Sequence, residues 1–244
     1  MNAAALPTRH DEAWRYADLK ALAAVWPLPE RRQVVVADGD AISRTIIIDG
    51  ADPAVEEWRV VLGAGARADF EVVVAGAGYG RVAIEVEVGE GAHFDLRGVT
   101  LGRDEQTVEI VTDVRHVAVG GTSSQVVRSV LSGRATGNYL GRVAVSRGAQ
   151  QVDGSQSVKA MLLDRTATAN LKPELEIFAD DVKCAHGATV GELDRNALFY
   201  LNSRGIPPAE AKVMLLRAFV ADVFGDDAEG AAATAANAAL ERLL

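Results

Sequence analysis

Residues 60–66 read Val-Val-Leu-Gly-Ala-Gly-Ala, and residues 86–92 read Val-Glu-Val-Gly-Glu-Gly-Ala. The sequence Val-Ala-Val-Ser-Arg-Gly-Ala at 143–149 resembles both, and residues 184–188 end on the same Gly-Ala step. We interpret each of these segments as the end of a short strand, followed by a corner of small residues and the start of another strand. Repeats at intervals of roughly 20–50 residues are typical of stacked coils that share one continuous core. The pattern therefore predicts a mainly β protein, a β-solenoid. Because the spacing is irregular, a β-sandwich stays open as the alternative.

Short aliphatic and β-branched runs, separated by glycine turns, continue this pattern through most of the chain. We expect no amphipathic helix between about Gln33 and Asn196. That disfavours a doubly wound α/β sheet, because such a sheet needs a helix between parallel strands. The strands predicted from alternation and composition are 34–36, 46–48, 58–62, 70–74, 82–88, 107–111, 116–119, 125–130, 142–145, 157–163 and 174–178.

Helices are expected only near the two ends of the chain. Residues 11–25 predict a short helix with Asp11 as its N-cap, closed by Pro27. Residues 209–224 predict a well-formed helix that stops at Gly225, and the alanine-rich tail predicts a second. The expected organisation is a helical segment over 1–30, a β-helix core over 31–196 and a helical region over 197–244.

Charge and composition exclude several classes of function. The chain has 244 residues with 34 acidic side chains against 25 Lys and Arg, a net charge of −9. This charge excludes nonspecific electrostatic binding to nucleic acid phosphates. The sequence also has no basic cluster of the kind that binds an anionic membrane surface. No apolar run approaches the roughly 20 residues of a membrane span, and residues 1–9 do not resemble a signal peptide. We therefore expect a soluble cytoplasmic protein.

The glycine-rich sequence at 76–80 could be mistaken for a nucleotide-binding loop. Such a loop needs a helix after it, so that phosphate meets the helix N-terminus. Residues 81–88 alternate like a strand instead, so we interpret the glycines as a turn between coils.

The segment 178–189 carries the clearest chemistry, because it holds the single cysteine, Cys184, with His186 two residues later and Asp180 and Asp181 just upstream. On a strand, Cys184 and His186 would share one face, with Cα atoms roughly 6.6 Å apart. Thiolate and imidazole are donors that iron or zinc prefers. Two donors are too few for a stable site, so further ligands would have to come from elsewhere in the fold or from a second chain. From the residues alone, a buried structural cysteine stays open as the alternative.

Residues 171–189, 198–206 and 9–19 resemble the SufB/SufD family of the SUF iron–sulfur cluster assembly system. The Cys-x-His-Gly-Ala-Thr form of 184–189 resembles SufD rather than its paralogue SufB. The resemblance implies a right-handed parallel β-helix with a short N-terminal helical arm and C-terminal helices. The chain is shorter than the better-known members, and we expect the difference to lie mostly in their N-terminal helical domain.

The resemblance also implies partners and cargo for a non-catalytic scaffold subunit. It implies edge-to-edge assembly with SufB and docking of SufC, an ABC-type ATPase, on about 194–224; a homodimer in the absence of SufB stays open. His186 matches a family histidine proposed to hold iron or the nascent cluster, and Cys184 is its neighbour. No cofactor is expected to stay bound to the lone chain, and iron or a cluster would be held transiently in the complex. The residues expected to bind the ATPase are Leu198, Phe199, Tyr200, Arg204, Gly205 and Ile206.

A different class, a carbohydrate-active β-helix enzyme such as a polysaccharide lyase, is the alternative function. It would need a cleft of carboxylates with a Lys or Arg base, and no local motif supports one. A hexapeptide acyltransferase would need consecutive six-residue repeats led by Leu, Ile or Val, and no such run is found.

Overall fold

The structure, a computed structural model, describes residues 5–227 and 229–244. The expectation about a signal peptide concerns residues 1–9, of which 1–4 lie outside the described residues. The strands are β1 Arg32–Val36, β2 Ala41–Ile48, β3 Ala54–Leu62, β4 Arg67–Ala75, β5 Tyr79–Val88, β6 His93–Gly102, β7 Thr107–His116, β8 Thr122–Leu131, β9 Thr136–Val145, β10 Val152–Leu162, β11 Thr168–Ile177 and β12 Val182–Gly191. The odd-numbered strands form one six-stranded sheet and the even-numbered strands form a second.

The predicted β-solenoid is confirmed, because each strand pairs in parallel with the strand two places along the chain. The chain therefore runs along one sheet, turns a corner, runs along the other and returns one layer further on. A β-sandwich is excluded, since its sheets are built from antiparallel strands.

The register explains both the repeat and its irregularity. Val60 pairs with Val86, so the first two Gly-Ala segments occupy equivalent places in successive coils. A coil takes 26 residues where Ala41 pairs with Arg67, and 32 residues where Thr136 pairs with Thr168. From the first of these coils to the second, the strands lengthen from 8 and 9 to 10 and 11 residues and each corner gains one residue, which blurs the period in the sequence.

Three predictions about strands and corners need correction. Residues 184–188 lie inside β12 and do not form a corner. Residues 117–119 form the corner after β7 rather than a strand, although the valines there suggested alternation. The strand β6 was not predicted, because Gly98 interrupts its inward-facing row after Phe94 and Leu96.

The core fills the space between the two sheets with small aliphatic side chains. Inward-facing valines such as Val60, Val72 and Val86 are at most 2% exposed. A short aromatic stack contributes at the first coils, where the Phe70 and Phe94 ring centroids are 6.0 Å apart. Each such aliphatic side chain contributes roughly 1.5–3 kcal/mol when fully buried, so one continuous core stabilises all the coils.

Corners depend on glycine where the backbone is left-handed or tightly packed. Gly76 has a φ of +78°, and a Cβ atom there would lie 2.5 Å from the carbonyl oxygen of Asp49 in the preceding coil. No other residue type fits that position without moving the backbone. Gly76 and Gly78 therefore lie in a turn that leads into β5, as interpreted from the sequence, whereas Gly80 lies in the strand itself.

The N-terminal arm, residues 11–31, is not the helix that was predicted over 11–25. It contains a 3-10 turn at Glu12–Trp14 and a single α-helical turn, α1, at Leu19–Leu22. Asp18 rather than Asp11 caps the helical turn, because its carboxylate accepts from the backbone of Lys20 and Ala21, both at 3.0 Å. The incomplete apolar stripe of the segment explains why no longer helix forms, since a helix this exposed would gain little from packing.

The C-terminal region forms three helices, α2 Arg195–Ser203, α3 Pro208–Ala221 and α4 Ala231–Leu243. The predicted helix over 209–224 corresponds to α3, which ends three residues earlier than expected, and the tail helix is confirmed as α4. The helix α2 was not predicted. Side chains of α3 and α4, such as Leu216 and Leu240, pack on the outer face of the second sheet. Among the described residues, no helix is both long and apolar enough to cross a membrane.

Candidate functional site at the open end of the solenoid

The last coil, formed by β11 and β12, is the open end of the solenoid. In the described part of the chain β11 pairs only with β9, and β12 pairs only with β10. In β12 only Val182 and Cys184 are half-buried, and the other residues are exposed. Each strand therefore presents a row of backbone N–H and C=O groups without strand partners, which is a template for pairing with another strand.

Cys184 and His186 lie on the same inward-facing row of β12. Their register partners on β10 are Gly154 and Gln156, which are both buried inside the preceding coil. In the described part of the chain no further coil covers His186, which leaves this residue exposed. The structure thus brings the thiol and the imidazole onto one face at the mouth of the solenoid, as the spacing predicts.

The surroundings of Cys184 favour the neutral thiol. Burial raises the pKa of Cys184 above its ordinary value, and the carboxylate of Asp153 raises the pKa further, while a hydrogen bond with the backbone of Gly154 acts in the opposite direction. The upstream Asp180 and Asp181 are exposed in the corner before β12. A positive charge such as a metal ion would be needed to stabilise the thiolate here.

The donor set at this end is incomplete. Among the described residues, no group of three or more His, Cys, Asp or Glu side chains could hold a metal ion. Cys184 and His186 supply two donors, whereas protein metal sites of this kind generally use about four. Cys184 contacts the core but is only half-buried, so its thiol is not sealed in the interior.

The residues expected to bind the ATPase lie on α2 and on the turn after it. The aromatic side chains of Phe199 and Tyr200 are 75% and 56% exposed, and α2 has no buried residue. The Arg204 guanidinium lies 5.1 Å from the Tyr200 ring centroid. Gly205 ends the helix with a φ of +87°, and Leu198 and Ile206 are half-buried. Exposed aromatic side chains on a helix without a buried face are typical of a protein contact surface.

Comparison with known proteins supplies the family. Residues 35–219 match the family model described as "SUF system FeS cluster assembly, SufBD core domain". The chain belongs to the SufB/SufD family. The matched residues include the whole open end, with Cys184 and His186, and the helix α2.

Relatives of this family member come from bacteria and a plant. Iron-sulfur cluster assembly protein SufD of Escherichia coli K12 is 33% identical over 135 residues, which are 55% of this chain and 32% of that protein. SufD of Bacillus subtilis is 31% identical over 138 residues, 57% of this chain and 32% of that protein. Protein ABCI7, chloroplastic, of Arabidopsis thaliana is 37% identical over 123 residues, 49% of this chain and 26% of that protein. The matches therefore span about a third or less of these relatives' length.

A hydrogen-bonded column of polar side chains, which the sequence did not predict, runs inside the coils of this SufB/SufD-family chain. Gln125 Oε1 accepts from the hydroxyls of Thr112, at 2.6 Å, and Tyr139, at 3.1 Å. Gln156 Nε2 donates in turn to the Tyr139 hydroxyl, at 3.0 Å. All four side chains are buried, and burial raises the pKa of Tyr139 to about 12. We define these four residues as the lumen column. No local pattern could have shown it, because its members come from four different strands.

Proposed function

We propose that this chain is a non-catalytic scaffold subunit of the SUF iron–sulfur assembly complex, and that its open end supplies part of an iron or cluster site. The observation that carries the proposal is the pair of donors, Cys184 and His186, on an inward row that no coil covers. Family membership supports the link to cluster assembly. A second polypeptide would supply the missing donors.

A SufB-like paralogue is the proposed partner at this end. The unpaired edges of β11 and β12 could continue into the edge strands of another parallel β-helix, because backbone hydrogen bonding is independent of side-chain identity. Such pairing would cover His186 and enclose it between two chains. The same edges would support a homodimer when the paralogue is missing.

A SufC-like ABC ATPase is the proposed partner at α2. The exposed rings of Phe199 and Tyr200, with Arg204 beside them, offer the aromatic and arginine contacts that are enriched in protein interfaces. ATP hydrolysis would belong to that partner. Iron or the growing cluster is cargo in this scheme, held in the cytoplasmic complex and not by the lone chain.

The test is co-expression with SufB-like and SufC-like subunits, followed by anaerobic reconstitution with Fe²⁺ and sulfide. His186→Ala is expected to lower the iron and sulfide retained by the complex at least several-fold, without changing its elution from a sizing column. His10→Ala, at an exposed position just before the N-terminal arm, is the matched control and is expected to behave as the unmodified chain. Failure of the three chains to co-elute would contradict the scaffold role, and normal cluster yield from His186→Ala would remove His186 from the site.

A further inference from the structure

The end of the lumen column nearest the open end has an unused hydrogen-bond acceptor. Gln156 is 3% exposed, and its Oε1 atom has no hydrogen-bond partner in the described residues. A buried acceptor left without a donor has a free-energy cost for the folded chain. Such a cost is expected at a functional position more than in an ordinary core.

The column itself orients this acceptor. Tyr139 donates its proton to Gln125, so its oxygen is available to accept, and Gln156 donates through Nε2. With the amide nitrogen held in this way, Oε1 becomes the free end of Gln156. The arrangement also depends on Gly141, where a Cβ atom would lie 2.2 Å from the Tyr139 hydroxyl oxygen and 2.6 Å from Gln156 Nε2. A side chain at position 141 would therefore collide with both the tyrosine hydroxyl and this amide.

His186 occupies the position equivalent to Gln156 on the next coil, and both residues face inward. Gln156 and His186 are direct register partners on the parallel strands β10 and β12, which lie roughly 4.8 Å apart. The described residues offer no hydrogen bond to the His186 ring. An imidazole that binds a metal through one nitrogen carries a proton on the other, and that N–H needs an acceptor to hold the ring in one tautomer and orientation.

We propose that Gln156 is a positioning residue for His186, whose ring N–H it accepts through Oε1 when a partner subunit covers the open end. The other ring nitrogen then points out of the solenoid toward iron. This inference rests on the proposed function. It adds a role for the lumen column: the hydrogen bonds of Tyr139 with Gln125 and Gln156 hold the Gln156 amide in the orientation that His186 needs.

The experiment measures the binding of Fe²⁺ alone to the assembled complex, anaerobically, for matched variants. Gln156→Leu is expected to weaken Fe²⁺ binding by about 10- to 100-fold, the range typical for loss of an outer hydrogen-bond partner of a metal-bound histidine. Gln156→Glu keeps an oxygen acceptor toward His186 but loses the Nε2 donor to Tyr139. Because the Tyr139 hydroxyl can donate its proton to the new carboxylate instead, this variant is expected to bind Fe²⁺ within about threefold of the unmodified complex. Gln125→Leu breaks the same column one coil deeper, away from His186, and is expected to cause a smaller loss than Gln156→Leu.

Two comparisons decide the result. In the His186→Ala background, Gln156→Leu is expected to have no further effect on Fe²⁺ binding; an independent, additive loss would overturn the inference. An equal loss from Gln125→Leu, or from Gln156→Glu, would show a merely structural role and would also overturn it. Where Gln156→Leu does not assemble, Gln156→Met, which also removes the acceptor and keeps the length of the side chain, replaces it in both comparisons.

Failure of the inference is distinguishable from failure of the proposed function. If His186→Ala binds Fe²⁺ like the unmodified complex, the proposed role of His186 fails. If His186→Ala loses Fe²⁺ while Gln156→Leu does not, the site stands and only the positioning role of Gln156 is overturned.

Discussion

A buried ion pair attaches the N-terminal arm to the solenoid, and its removal should cost several kcal/mol. Arg81 Nη1 lies 2.7 Å from Glu109 Oε2, and the two side chains are 2% and 1% exposed. The second guanidinium nitrogen, Nη2, donates to the carbonyl oxygen of Ala13 at 2.8 Å, and the Trp14 ring lies over the guanidinium at 3.9 Å. One side chain therefore joins the arm to two strands of the first sheet.

The perturbation is Arg81→Met, which keeps the length of the side chain and removes its charge. Glu109 then stays buried with only neutral donors, the hydroxyl of Tyr79 at 3.1 Å and the amide of Asn138 at 2.6 Å. Breaking a buried pair on one side typically costs about 3–5 kcal/mol, because the remaining charge is uncompensated. Since whole domains are stable by about 5–15 kcal/mol, this loss would be large.

The assay is urea unfolding followed by tryptophan fluorescence. The matched control is Arg134→Met, which breaks the Arg134–Glu105 pair whose side chains are 69% and 75% exposed. Exposed pairs contribute about 0–1 kcal/mol, so the control is expected to unfold close to the unmodified chain. The double variant Arg81→Met/Glu109→Gln should regain about 2 kcal/mol relative to Arg81→Met, because the group left behind is neutral. A loss below about 1 kcal/mol for Arg81→Met, or a double variant as unstable as the single one, would show that the charge of Glu109 does not need Arg81 in the folded chain.

Two further predictions concern the core. Burial lowers the pKa of His116 from its ordinary value of 6.5 to about 4, so the unfolded chain takes up this proton first and stability is lost as the pH falls from about 6.5 to about 4. Between pH 7 and pH 5 the free energy of unfolding of the unmodified chain should fall by about 2 kcal/mol more than that of His116→Asn. The exposed control His10→Asn should show the same fall as the unmodified chain. Equal pH slopes for His116→Asn and the unmodified chain would contradict this prediction. Gly141→Ala should cost about 1–3 kcal/mol in thermal unfolding, since its Cβ would fall 2.2 Å from a buried tyrosine oxygen. Gly148→Ala, with nothing within 4 Å of the added atom, should be nearly neutral, and equal melting temperatures for the two variants would count against the packing argument.

The sequence predicts the coils well because the signal is local. Alternation and the Gly-Ala segments predict stacked coils, and in the structure Val60 of one such segment pairs with Val86 of the next. Prediction from local patterns fails for segments whose structure depends on packing against residues distant in the sequence. The N-terminal arm carries an incomplete stripe of apolar residues at helical spacing. In the structure Trp14 packs on the Arg81 guanidinium, and only one α-helical turn forms. The exposed helix α2 escaped prediction because it buries no face of its own.

The candidate site shows the same division. Because successive side chains of a strand point to opposite faces, the order of the residues is enough to place Cys184 and His186 on one face. The two donors that it offers there are too few for a metal. Strand pairing adds two facts: β12 is the last strand of its sheet in the described part of the chain, and Gln156, with its unused acceptor, occupies the position equivalent to His186 one coil earlier. These neighbours are about 30 residues apart, one full coil. No local alternation specifies the length of a coil's corners, so only strand pairing could bring the two residues together.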